Sequence, residues 1–224
     1  MYNTNPSAGN GRISTPTEQA YSELQHAYDV FNTRLSAGQL PPCVITMQRK
    51  NRTYGYFSGE RWHDQAGAVT DEIALNPVHF ATRSTAEVLS TLAHAMVHLW
   101  QHHWGTPRRS TSHNKAWAAK MDAIGLCPSH TGAPGGRRTG QHMRHDVVAG
   151  GPFAQACTDL LAEGFVISWR DRMRAQVPGK GKTEGKAGVR TKYTCPNCGL
   201  NAWAKADVVL LCGACEVALE PEEA

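Results

Sequence analysis

The sequence predicts an α+β protein: a helical domain carrying a small three-stranded sheet, followed by a small cysteine-bearing module. Three observations lead there. Two stretches open on helix-capping signatures and continue with apolar residues at helical spacing. Three short runs between them are rich in β-branched and aromatic residues, as strands are. Two Cys-x-x-Cys pairs lie near the C-terminus. At 224 residues the chain can bury one medium core and one small one.

Residues 1–14 are polar and rich in Gly, Asn and Ser, and are expected to be a flexible tail. Residues 15–169 form the main domain. Thr15-Pro16-Thr17-Glu18 reads as a capping box with proline at the first helical position, and Ala20, Tyr21, Leu24, Ala27, Tyr28, Phe31 and Leu35 follow at helical spacing. Gly38 marks the stop. After Pro41-Pro42, strands are expected at 43–47, 52–57 and 71–76, the last closed by Pro77. Ser84-Thr85-Ala86-Glu87 is a second capping box, and the helix behind it turns Val88, Leu89, Leu92, Ala93, Met96 and Leu99 to the core. A turn at Gly105-Thr106-Pro107 and the charges of Arg108-Arg109 lead to a helix over 114–124, closed by Gly125. Residues 128–140 read as a long loop, 141–148 as a short ordered return, and 153–169 as a helix weakened by Gly164.

Net charge is +4. It is concentrated over 170–190, a basic linker in which Arg170, Arg172, Arg174, Lys180, Lys182, Lys186 and Arg190 face Asp171 and Glu184. Such a run is usually a solvated linker, but it is also what a phosphate backbone attracts. No stretch approaches the roughly 20 apolar residues that span a bilayer, and no secretory leader is seen, so a cytoplasmic protein with no membrane partner is expected. Of seven cysteines, Cys43, Cys127 and Cys157 are scattered among apolar neighbours and read as core residues.

The chemistry centres on His94-Ala95-Met96-Val97-His98. Histidines four apart on a helix point the same way and can grip one metal ion. This is the zinc-peptidase pattern H-E-x-x-H with alanine in place of the glutamate. His113, at a helix start beyond a turn, is the best third ligand. In a chain with eleven histidines the pair also arises by chance. His102 continues the same stripe, but the outer two of His94, His98 and His102 would lie about 12 Å apart along the axis, so His102 and His103 are read as exposed or as supporting the ligands.

Cys195-Pro196-Asn197-Cys198 and Cys212-Gly213-Ala214-Cys215 read as a four-cysteine zinc ribbon over 191–224, with strands expected at 201–205 and 208–211. Four thiolates close the tetrahedron, so this ion is structural. Tyr193 and Trp203, beside Lys192 and Lys205, are candidates for stacking bases and holding phosphates. Trp203 fits the ribbon core equally well, whereas Tyr193 is expected to be exposed.

The segment Thr91–Gln101, Gly105, His113-Asn114-Lys115-Ala116-Trp117 and Met121–Leu126 together closely resemble the SprT-like zinc metalloproteases, the family that includes the Spartan-type proteases degrading proteins crosslinked to DNA. The likeness extends over Thr17 to Phe80 and, more loosely, to the cysteines. It implies a zincin-like domain, two Zn2+ per chain, His94, His98 and His113 as catalytic-zinc ligands, and partners in single-stranded DNA and DNA-crosslinked proteins. It also implies a nucleoid-associated protein if the host is bacterial. Family members carry glutamate at the position of Ala95. Because everything around it is kept, replacement of an active-site base is favoured over a natural pseudo-protease, and the chain is expected to bind zinc and be catalytically inactive. His145 is a candidate for stabilising the oxyanion, while Glu72 and Asp122 are read as fold carboxylates. The competing readings are a non-catalytic, zinc-containing nucleic-acid-binding pseudo-protease and a zinc-ribbon adaptor for protein partners.

Overall fold

A computed structural model describes residues 14–105, 113–172, 191–205 and 208–222. The expected tail over 1–13, Arg108-Arg109 and linker residues 173–190 lie outside the described residues. The chain divides into two compact units, Met1–Ala175 and Gln176–Ala224.

In the first unit, helix α1 spans Pro16–Ser36. The Thr15 hydroxyl accepts from the Glu18 N–H at 3.3 Å, and the Glu18 carboxylate accepts from the Thr15 N–H at 2.9 Å, which completes the expected capping box. Ala37 and Gly38 both turn left-handed at its end. The Asn32 amide then clamps the Leu40 N–H and C=O, each at 3.0 Å, and aims the chain at the sheet.

Strands β1 (Val44–Met47), β2 (Gly55–His63) and β3 (Val69–Leu75) form the expected three-stranded sheet in the order β1-β3-β2. β1 runs parallel and β2 antiparallel to β3. β3 is central, and Asp71 to Leu75 are all buried. β2 runs six residues further than expected, because a bulge between Ser58 and Trp62 lets it resume pairing beyond an irregular turn. Asn76 closes β3 by donating to the carbonyls of Lys50 and Thr53.

Helix α2 spans Thr85–Trp104 behind the expected Ser84 capping box. It is buried over most of its circumference, since Ala95, Val97, His98 and Gln101 are covered along with the predicted stripe. Helix α3 (Lys115–Ala123) is capped by the Asn114 side chain, which accepts from the Trp117 N–H at 3.0 Å.

Two expectations fail here. The 128–140 loop begins inside a strand: β4 (Leu126–Ser129) pairs antiparallel with β5 (Arg144–Val147). Leu-Cys-Pro-Ser carries no alternation, so periodicity could not show it. Helix α4 spans Pro152–Ala162 and stops well short of Trp169. Gly164 sits at φ +88, a conformation cheap only for glycine, and the Phe165 N–H folds back to the Leu160 carbonyl. The segment beyond is held to α1 instead: Glu23 accepts from Ser168, and Gln19 accepts from the Trp169 indole.

In the second unit, β6 (Thr191–Thr194) lies between β7 (Asn201–Ala204) and β8 (Glu220–Pro221). The strand expected at 208–211 is reduced to a single bridge between Leu211 and Ala218, and the third strand comes from the chain end. Among the described residues, no helix is long and apolar enough to cross a membrane.

Candidate metal centres

His94 and His98 project from the middle of α2, one turn apart, and His113 enters just ahead of α3. The predicted trio does come together, with one ring nitrogen of each within 4.8 Å of the others. The Nε2 atoms of His94 and His113 are 3.3 Å apart. Trp117, fully buried on α3, packs against all three imidazoles, stacked on His98 and edge-on to His94 and His113.

The other nitrogen of each ring is tied. His113 Nδ1 lies 3.0 Å from the Gly140 carbonyl, which can only accept, so Nδ1 carries the proton and Nε2 a lone pair. His98 Nδ1 faces Gln101 Oε1 at 3.3 Å, with the same consequence. His94 Nδ1 lies 3.2 Å from His145 Nδ1. His145 Nε2 lies 2.9 Å from the Ser90 hydroxyl, which donates to the Glu87 carbonyl at 2.9 Å. One proton assignment satisfies the whole chain: His94 donates to His145, His145 to Ser90, and Ser90 to the backbone. Three Nε2 lone pairs then converge with no proton among them. That donor set fits a divalent cation of zinc's softness and tetrahedral habit.

The electrostatics agree. Burial, then the neighbouring imidazoles, holds His94 well below the usual histidine range. Burial pulls His98 down to about 3 and His145 to about 4, and it also lowers His113. All four are therefore neutral near pH 7, the form in which imidazole ligates.

His145, the oxyanion candidate, lies between His94 and Ser90. Both its nitrogens are engaged, Nδ1 by His94 and Nε2 by Ser90, so it orients the His94 ring and has no free donor. Sequence reasoning missed this role because 51 residues separate His145 from His94. It also missed Gln101, although that residue sits one turn beyond His98 and was within reach of helical spacing.

Ala95 is 2 % exposed and belongs to the main apolar core. Among the described residues, no carboxylate joins the three-histidine group. Glu72 is buried in β3 and accepts from the Thr46 hydroxyl, and Asp122 pairs with Arg138, so both are occupied elsewhere.

The four ribbon cysteines also come together, with all sulfurs within 4.8 Å of one another and none in a disulfide. The two Cys-x-x-Cys turns are built alike. Cys195 and Cys212 each accept from a backbone N–H four residues on, from Gly199 and Glu216, and these two residues take left-handed conformations. Hydrogen bonding to the Cys198 backbone draws the Cys195 thiol down to about 7, while the neighbouring Cys198 side chain pushes Cys215 up to about 12. Four cysteines at this spacing are the donor set that, once deprotonated, closes a tetrahedral metal site.

Tyr193 corrects an expectation. It is 3 % exposed, at the centre of the ribbon's small core, and its hydroxyl donates to the Lys205 carbonyl at 3.1 Å. It packs against Cys195, Cys212 and Leu219, so this side chain is covered and has no face left for stacking. Trp203 is 60 % exposed, opposite Lys192 in the β6–β7 register. Lys192 is paired with Glu222, and Lys205 is exposed.

Comparison with known proteins bears on these centres. The profile of the SprT-like family matches residues 24–137, half of the chain and the part that holds all three histidines. A protein of Salmonella typhimurium, described as "Uncharacterized protein in mucB 3'region", is 50 % identical over 62 residues, which make up 27 % of this chain and 84 % of that protein. No solved structure matches.

Proposed function

Because the chain belongs to the SprT-like family, we propose that it is a zinc metalloprotease of zincin-like fold, with His94, His98 and His113 as the catalytic-zinc ligands and a second, structural zinc on the four cysteines. The convergence of three Nε2 lone pairs carries this reading. Zinc held there would supply Lewis-acid activation of a peptide carbonyl. The chain's own part is to keep three neutral imidazoles aligned, through Gly140, Gln101 and the His145–Ser90 pair, and to pack Trp117 against all three.

Ala95 can neither take nor pass a proton, so the chain as written is inactive or nearly so. Loss of a general base typically costs about 10²–10⁴ in rate. Single-stranded DNA is the proposed partner and DNA-crosslinked protein the substrate, in a cytoplasmic, nucleoid-associated setting if bacterial. Support on the ribbon comes from exposed Trp203 beside Lys205, an aromatic and a cation that suit unpaired bases. The missing carboxylate favours one second reading, a non-catalytic nucleic-acid-binding protein on the same scaffold.

The test is cleavage of a DNA-crosslinked protein by Ala95→Glu, with and without single-stranded DNA, beside the unaltered chain. Cleavage by the variant alone, and only with DNA, is the expected result. No cleavage by either, although both retain zinc, leaves the non-catalytic reading in its place.

A further inference from the structure

The end of α2 carries a second histidine cluster that the proposed function does not use. His102 and His103 lie in its last turn, about 6 Å along the helix axis from His98. They turn toward Asp71 on the central strand β3, a carboxylate only 4 % exposed. His103 Nε2 is 2.7 Å from Asp71 Oδ2, and His102 Nε2 is 3.8 Å from Oδ1. The two rings stand nearly perpendicular, 84° apart, with centroids separated by 5.1 Å. One donor atom from each of the three residues lies within 4.8 Å of the other two.

The edge strand is shaped around this cluster. The β2 bulge passes directly over His102: a Cβ on Gly59 would stand 2.6 Å from its ring. The next residue, Glu60, takes φ +51, an uncommon angle for a side chain of its kind, and its N–H donates to Asp71 Oδ1 at 2.8 Å. The bulge thus leaves room for an imidazole and fixes the carboxylate's orientation.

One histidine would satisfy Asp71 as a hydrogen-bond partner. Two are aimed at it, and the second is too far for a hydrogen bond yet at the spacing that ligands of a common ion adopt. We propose that Asp71, His102 and His103 form a further metal site, for a divalent transition ion of borderline softness such as Zn2+, Co2+ or Ni2+. Two imidazoles and one carboxylate are the donors such ions take, and the half-exposed rings leave the outer positions to water. An ion there ties the last turn of α2 to β3, and through the Glu60 N–H to the bulge of β2. The site shares no ligand with the three-histidine or four-cysteine centres and stands or falls apart from them.

Ions bound per chain after equilibrium dialysis of the full chain against Zn2+ test the proposal. His102→Ala and His103→Ala are each expected to bind one ion fewer than the unaltered chain, and a control substitution at exposed His26 none fewer. Equal counts in the unaltered chain and both variants would overturn the site, as would an equal loss in the control. Should a variant fail to fold, titration of the unaltered chain with diamagnetic Zn2+ decides. The ring resonances of both His102 and His103 are expected to shift, and resonances that stay in place overturn the proposal.

Discussion

The three-histidine centre and the four-cysteine centre hold their donors by opposite means. The histidines lie beside a large apolar core, and each ring has its second nitrogen anchored by a further residue: Gly140, Gln101 and His145. That site is shaped by the fold. The buried core of the ribbon consists of Tyr193, Cys195, Cys212 and Leu219, so two of its four members belong to the candidate metal-binding set. There the ion would shape the fold. Preorganised ligands make a metal exchangeable without structural loss, whereas ligands that double as core make it part of folding.

Metal removal is the strongest way to break this contrast. Structural zinc in small modules contributes roughly 10–16 kcal/mol of apparent binding energy. Chelation, or Cys198→Ser, is expected to unfold residues 191–222 while α1 to α4 persist, as read by amide signals assigned to each unit. Loss of α2 signals along with the ribbon would contradict the contrast.

Acid probes the other side. In metal-free protein His98 sits at about 3 and His145 at about 4, below the ordinary 6.5 of an unfolded chain. The unfolded state therefore binds more protons between those values. Stability is unaffected above about pH 6.5 and falls as pH drops toward 4, by roughly 1.4 kcal/mol per unit for each group. Thermal melts of the metal-free chain from pH 7 to 4 check this, and a flat melting temperature would mean the cluster opens to solvent when empty.

Smaller effects sharpen the comparison. His145→Phe removes the partner of His94 Nδ1 and is expected to weaken zinc at the histidine centre about 10–100-fold without touching the ribbon. Competition with a chromophoric chelator resolves the two sites. In the ribbon, Trp203→Ala is expected to weaken single-stranded DNA by about 1–3 kcal/mol and leave stability unchanged. Tyr193→Phe should do the reverse, costing about 1 kcal/mol of stability for the lost hydrogen bond to Lys205 with DNA affinity intact. Fluorescence anisotropy and melting of the two variants separate the roles.

What could be read from the sequence was local. Both capping boxes, the faces of α1 and α2, the three short strands, the His94–His98 pair and each Cys-x-x-Cys turn follow from spacings of a few residues, and His113 from its place beyond a turn and the family resemblance. What escaped depends on partners distant in sequence. β4 exists because β5 pairs with it, and α4 ends early because Gly164 can turn left-handed and α1 holds the segment that follows. Tyr193 is buried because Cys212 and Leu219, well along the chain, pack over it. His145 supports His94 across a gap that no periodicity spans.

The β4–β5 pairing constrains which insertions and deletions this chain can tolerate. Gly140 anchors His113, and five residues later His145, opposite Pro128, anchors His94. Side chains alternate along a strand, so shifting the β4–β5 register by one residue would turn His145 to the opposite face. The stretch from His130 to Thr139 holds neither anchor. Length variation among relatives should therefore gather there, with the spacing from Gly140 to His145 kept fixed.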